Sequence, residues 1–111
     1  MALTSTTKTT IYTCGEQGEL AFDVTWLLAV ASDGTPDTIS FSRLQHSDGA
    51  EYVIVHGVTV AAAAPYSLEC MPIHLVPGEV IYATSGSAVV AHPTHIHITG
   101  LKMARLPVPG K

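Results

Sequence analysis

The residues best suited to chemistry lie in one short run, His92-Pro-Thr-His95-Ile-His97. On a β-strand, residues i and i+2 project from the same face, so His95 and His97 stand side by side and His92 is near enough in the chain to add a third imidazole. Paired imidazoles on one face are the start of a transition-metal or zinc site. Completing that site takes a carboxylate a few residues further on. In this chain the region reads Ile98-Thr-Gly-Leu-Lys102, and no Asp or Glu follows anywhere. The reading preferred from these residues is that His95 and His97 line an outward or interface face and that no metal is bound; a metal site made of His92, His95 and His97 is the alternative.

Other chemistries find less support. Cys14 and Cys70 carry no nucleophile signature, and with no export signal they are expected to be reduced, acting as small buried hydrophobes. No serine sits in a Gly-x-Ser-x-Gly elbow, and no glycine-rich phosphate loop is present. Asp33, Asp37 and Asp48 fall among turn formers, where aspartate caps the local backbone more often than it serves as an acid or base. Trp26 and Tyr82 could stack on a ligand, but Trp26 shares its parity with a run of large apolar residues and is assigned to the core. The expectation is therefore no catalytic residue, no cofactor and no enzyme activity.

The elements that position these residues read as strands. The most regular alternation places Leu20, Phe22, Val24, Trp26, Leu28 and Val30 on one face, which a helix would scatter around its circumference. Thr9 to Thr13 is a shorter strand before it. Thr38 to Arg43 and Glu51 to Val60 follow, the latter interrupted by Gly57, which suggests a bulge. Asp48-Gly49 marks the turn between them, as a dipeptide suited to φ > 0. Ala61 to Ala64 is too short to nucleate a helix and reads as a linker. Tyr66 to Met71 is a further strand, with Pro72 fitting an edge or bulge, and Ile73 to Val76 continues it. Pro77-Gly78 makes a tight turn, Glu79 to Ser85 is another strand, and Gly86 opens the next reversal. In Thr94 to Thr99 the isoleucines face one way and the histidines the other. A bulge at Gly100 would then keep Leu101 and Met103 on the core side.

Seven or eight short strands with no credible helix predict an all-β fold, an antiparallel β-sandwich or jelly roll. Residues 1–8 read as a flexible N-terminal arm, 9–106 as a single sandwich domain and 107–111 as a C-terminal tail. Of the 111 residues, 13% are charged and 47% hydrophobic, which leaves little charge to keep a free monomer's surface soluble and points to burial against neighbours. The five Lys and Arg are scattered within a net charge of -4, against direct nucleic-acid binding. No run approaches the roughly 18 apolar residues of a membrane span, and the N-terminus lacks a secretory pattern, so synthesis in a cytoplasm is expected.

The order of these pieces is a resemblance in itself. Thr10-Ile-Tyr-Thr-Cys14, the long alternating strand, Glu51-Tyr-Val-Ile-Val-His-Gly-Val-Thr-Val60, Tyr66-Ser-Leu68, Ile73-His-Leu-Val-Pro-Gly-Glu-Val-Ile-Tyr-Ala-Thr-Ser85 and His95-Ile-His-Ile-Thr-Gly100 resemble the small β-sandwich virion proteins of tailed bacteriophages. Those are capsid decoration or head-fibre proteins and neck or tail accessory proteins. The most specific piece is Leu75 to Ile81, an apolar-Pro-Gly-acid-apolar stretch, and Arg43 to Gly49 has no counterpart in the pattern. The resemblance implies a virion structural protein, made in the host bacterial cytoplasm, that binds other phage virion proteins and itself as a symmetric homo-oligomer. It favours a trimer or hexamer. The alternative is a small cupin-like metal-binding enzyme using His92, His95 and His97.

Overall fold

A computed structural model describes residues 1–31, 33–62 and 64–103. Eight strands account for most of it: β1 (Ala2–Leu3), β2 (Thr9–Thr13), β3 (Ala21–Ala31), β4 (Asp37–Leu44), β5 (Glu51–Val60), β6 (Tyr66–Leu75), β7 (Val80–Ser85) and β8 (Thr94–Met103). They form two four-stranded antiparallel sheets, ordered β1-β8-β3-β6 and β2-β7-β4-β5, termed the β3 sheet and the β4 sheet. β1 pairs with β8, β2 with β7, β3 with β6 and β4 with β5, the pairing of one long hairpin whose tip is the β4–β5 turn. Wrapping that hairpin adds the β3–β8 and β4–β7 contacts. The result is the jelly-roll form of the predicted β-sandwich.

Between the sheets lies a core that includes Leu3, Val24, Leu27, Ile39, Phe41, Leu75, Ile81 and Ile96. Each comes from a strand whose alternation turns every second residue inward. The alternation of the longest strand does not run through unbroken, and this corrects the expected register. On β3, Val24 pairs with Gly100 and Trp26 with Thr99, so Thr25 is an extra residue with no partner on β8. That bulge reverses the parity. Phe22 and Val24 are buried as expected, but beyond the bulge the core residues are Leu27, Ala29 and Ala31, while Trp26 is 45% exposed.

The same bulge corrects the expectation at Gly100. The ladder irregularity falls there, yet the extra residue belongs to β3, and β8 keeps one parity throughout, which leaves Leu101 and Met103 exposed on the outside. Gly100 does not have a positive φ. It is glycine for want of room, since a Cβ would lie 2.2 Å from the Asp23 carbonyl oxygen and 2.5 Å from the Phe22 ring.

Residues 1–8 are not wholly an arm. Ala2–Leu3 pairs with β8, Leu3 is buried in the core, and Met1 exchanges backbone hydrogen bonds with Ile96. The expected tail, 107–111, lies outside the described residues. Gly57 has φ 61 at a register shift of β5, and Pro72 falls in the stretch where β6 shifts against β3, as their residue types suggested. At the β4–β5 turn only Gly49, not Asp48, takes positive φ. Pro77-Gly78 does form a tight turn, with Glu79 N donating to Val76 O at 3.0 Å, but the strands on its two sides belong to different sheets.

Candidate functional site

A sandwich buries one face of each sheet and leaves two outer faces, and in this molecule they differ in chemistry. On the β4 sheet the outer residues are mostly hydroxyl-bearing: Ser42 pairs with Val53, Ser40 with Thr84, and Thr38 with Thr59. Val53, at 66% exposure, and the half-buried Leu44 are apolar exceptions, and the ring of Tyr82 is covered by Lys8 Nζ, 4.5 Å from its centroid. Water solvates such a face well.

On the β3 sheet the reversed register turns Trp26, Leu28 and Val30 outward as a column along the central strand. Leu28 and Val30 are half-buried by their neighbours, and Trp26 donates its indole N–H to Ser67 Oγ. Leu101 and Met103 extend the apolar surface at the end of β8. Exposed apolar groups gathered on one face, with polar groups at their margins, mark a contact surface more often than scattered single residues do.

His95 and His97 flank this column, opposite Val30 and Leu28 respectively. They point away from the sandwich interior, where a jelly-roll metal site would be built. His92 is elsewhere, in the β7–β8 connection, with its Nδ1 against Asp33 Oδ2 and 3.1 Å from Thr35 Oγ1. That contact holds the Asp33 carboxyl below the usual aspartate range. The structure thus does not bring His92, His95 and His97 together, and among the described residues no group of three or more His, Cys, Asp or Glu is placed to hold a metal ion. Cys14 is buried and Cys70 half-buried, both free thiols.

The edges of the sheets are each modified in a way that discourages pairing with another chain. β1 has two residues, β2 shifts register between Thr10 and Tyr12, β5 bulges at Gly57, and β6 carries Pro72 at its irregularity. With the edges blunted, the outer face of the β3 sheet is the surface best suited to receive a partner.

The polar site that sequence reasoning missed is structural and lies at one end of the sandwich. Asp33 and Asp48 do cap turns, accepting from Thr35 N at 3.0 Å and Ala50 N at 2.9 Å. Asp37 is buried instead, accepting from Thr38 N at 2.7 Å, Ser87 N and Ser87 Oγ at 2.9 Å, Thr94 Oγ1 at 2.6 Å, and Ser85 Oγ. Burial alone would raise its pKa, but the hydrogen bonds from Ser85, Thr94, Ser87 and Thr38 N outweigh it and hold the carboxyl below its ordinary value. The signal is present in the alternation: Asp37 shares parity with Ile39 and Phe41, Ser85 with Ile81 and Ala83, and Thr94 with Ile96.

Glu79 does the corresponding work at the other end. It accepts from Val76 N at 2.9 Å, His46 N at 3.1 Å and Arg43 Nη2 at 3.1 Å, joining the β6–β7 turn to the end of β4. Glu19, also buried, accepts from the Tyr12 hydroxyl and from Gln17 N at 2.9 Å. All three carboxylates are consumed by fixed donors, which suits them to holding corners and not to moving protons.

Comparison of the chain with protein-family models, with curated proteins and with solved structures finds no match.

Proposed function

We propose that this chain is a non-catalytic assembly subunit, and that the assembly is the particle of a tailed bacteriophage. The observation that carries the assembly reading is the contrast between the two outer faces: hydroxyl-rich on the β4 sheet, and lined on the β3 sheet by Trp26, Leu28 and Val30 with His95 and His97 along the β8 side. A low charge content and blunted sheet edges support the same reading, since they favour face-to-face burial over open-ended strand pairing. The buried carboxylates support a rigid subunit, because Asp37 and Glu79 each tie separate elements together through several fixed donors.

The phage context rests on the resemblance in strand and turn order, above all Leu75 to Ile81. On that reading the partners are further copies of the chain and other virion proteins, and closed symmetry limits the assembly. The resemblance favours a trimer or hexamer. Light scattering of the purified protein tests assembly: a defined oligomer at micromolar concentration is expected, and a monomer there overturns it. Mass spectrometry of gradient-purified phage particles from the source of this chain tests the context. Its peptides are expected in the particles, and their absence from them overturns the virion role.

A further inference from the structure

The groups beside the apolar column of the β3 sheet are sorted by charge type. On the β8 side stand His95, His97 and Thr99; on the β6 side stand Ser67 and Glu69, opposite Leu28 and Trp26. Further along β6, His74 is committed to Asp23, with Nδ1 2.6 Å from Oδ1. Neither the His97 nor the Glu69 side chain has a hydrogen-bond or ion-pair partner among the described residues. The face therefore carries an unpaired donor column on one side of its apolar strip and an unpaired carboxylate on the other.

We propose that this face docks on the same face of a second copy, about a two-fold axis parallel to β3, so that His97 of each copy stands beside Glu69 of the other. The proposal rests on the assembly reading and specifies its contact. Two facing sheets related by a two-fold have two limiting arrangements with their strands aligned. With the axis across the strands, β8 lies over β8 and β6 over β6, and an imidazole never meets a carboxylate. With the axis along β3, β8 of one copy lies over β6 of the other. Trp26, Leu28 and Val30 then pack on their own counterparts, and His97 lies over Ser67, one row from Glu69. Facing sheets sit about 10 Å apart, a gap that the two long side chains bridge from opposite sides. An imidazole N–H donates to a carboxylate whether or not the ring is charged, so the pairing does not require acid.

Such a contact occurs in a dimer, and also in a hexamer made of two trimers related by two-folds, which keeps it compatible with the larger of the two favoured stoichiometries. The test is light scattering at neutral pH on the wild-type chain and three variants, with circular dichroism to check folding. Wild type is expected as a dimer or hexamer. His97→Glu places two carboxylates across the contact, and Glu69→Lys removes the acceptor of the imidazole N–H; each is expected to weaken association about tenfold or more. The exchange Glu69→His with His97→Glu restores the pair with its partners swapped and is expected to return to within about threefold of wild type. A wild-type monomer overturns the assembly reading together with this contact. A trimer leaves assembly standing and overturns the two-fold. Single variants that associate as wild type does, or an exchange that fails to restore association, overturn the pairing of His97 with Glu69.

Discussion

Val24 and Trp26 are two residues apart on one strand and lie on opposite faces of its sheet, the first fully buried and the second 45% exposed. The bulge at Thr25 separates them. It takes the largest apolar side chain in the sequence out of the core and places it on the outer surface, and the functional reading follows from that displacement.

If the bulge sets the register, the stability costs of truncation are reversed from what unbroken alternation implies. Leu27→Ala, at a fully buried site, should cost about 3 kcal/mol, whereas Trp26→Ala in the dissociated chain should cost under about 1 kcal/mol. Urea denaturation of both variants at high dilution checks this. Equal costs would mean that Trp26 is a core residue after all.

Gly100 tests the same region from β8. A methyl group there meets the Asp23 carbonyl oxygen and the Phe22 ring at distances no real contact permits, so Gly100→Ala should destabilise by about 3 kcal/mol. Gly18 has open space around it, and only its positive φ of 80 penalises a side chain, so Gly18→Ala should cost about 1 kcal/mol. Thermal unfolding ranks the two, and a reversed order would contradict the close approach of β3 and β8.

Asp37 sets a limit at acid pH. Its folded pKa lies below its ordinary value of 3.8, so the carboxylate's contribution is fully present above that value and is lost as pH falls through the lower, folded-state value. Asp37→Asn removes the titrating group and leaves some of the hydroxyl and N–H donors facing an amide NH2. Its stability should be lower than wild type at pH 7 by about 2 kcal/mol, with a smaller loss as pH drops below about 4. Urea midpoints across pH 2 to 7 check this; parallel curves for the two proteins would show that the carboxylate is not the group responsible.

The strands are legible in the sequence because alternation is a physical consequence of the pleat. Thr9–Thr13 has the same bounds in both, and Gly57 and Pro72 mark their irregularities through residue type. The bulge at Thr25 carries no such mark. A threonine fits a strand well, and beyond it the larger residues, Leu28 and Val30, face out while the alanines face in, so side-chain size argues for the wrong parity. The one sign is Trp26-Leu27-Leu28, three large apolar residues in succession, which no single half-buried strand face accommodates. β1 escapes sequence reading because two residues show no period. Asp37 passes for a turn former when the strand is begun one residue late, at Thr38. Of the candidate histidines, His95 and His97 stand together and outward as the alternation implies, but the contact of His92 with Asp33 joins residues far apart in the chain and leaves no local pattern.

The most direct test of the assembly surface uses Trp26 itself, since it is the only tryptophan in the chain. Acrylamide quenching of its fluorescence should fall as protein concentration rises through the association range, because packing against a second copy shields an indole that is open in the single chain. Quenching that stays equally efficient while light scattering reports the oligomer would show that assembly uses some other surface, and would contradict a role for the outer face of the β3 sheet as the contact between copies.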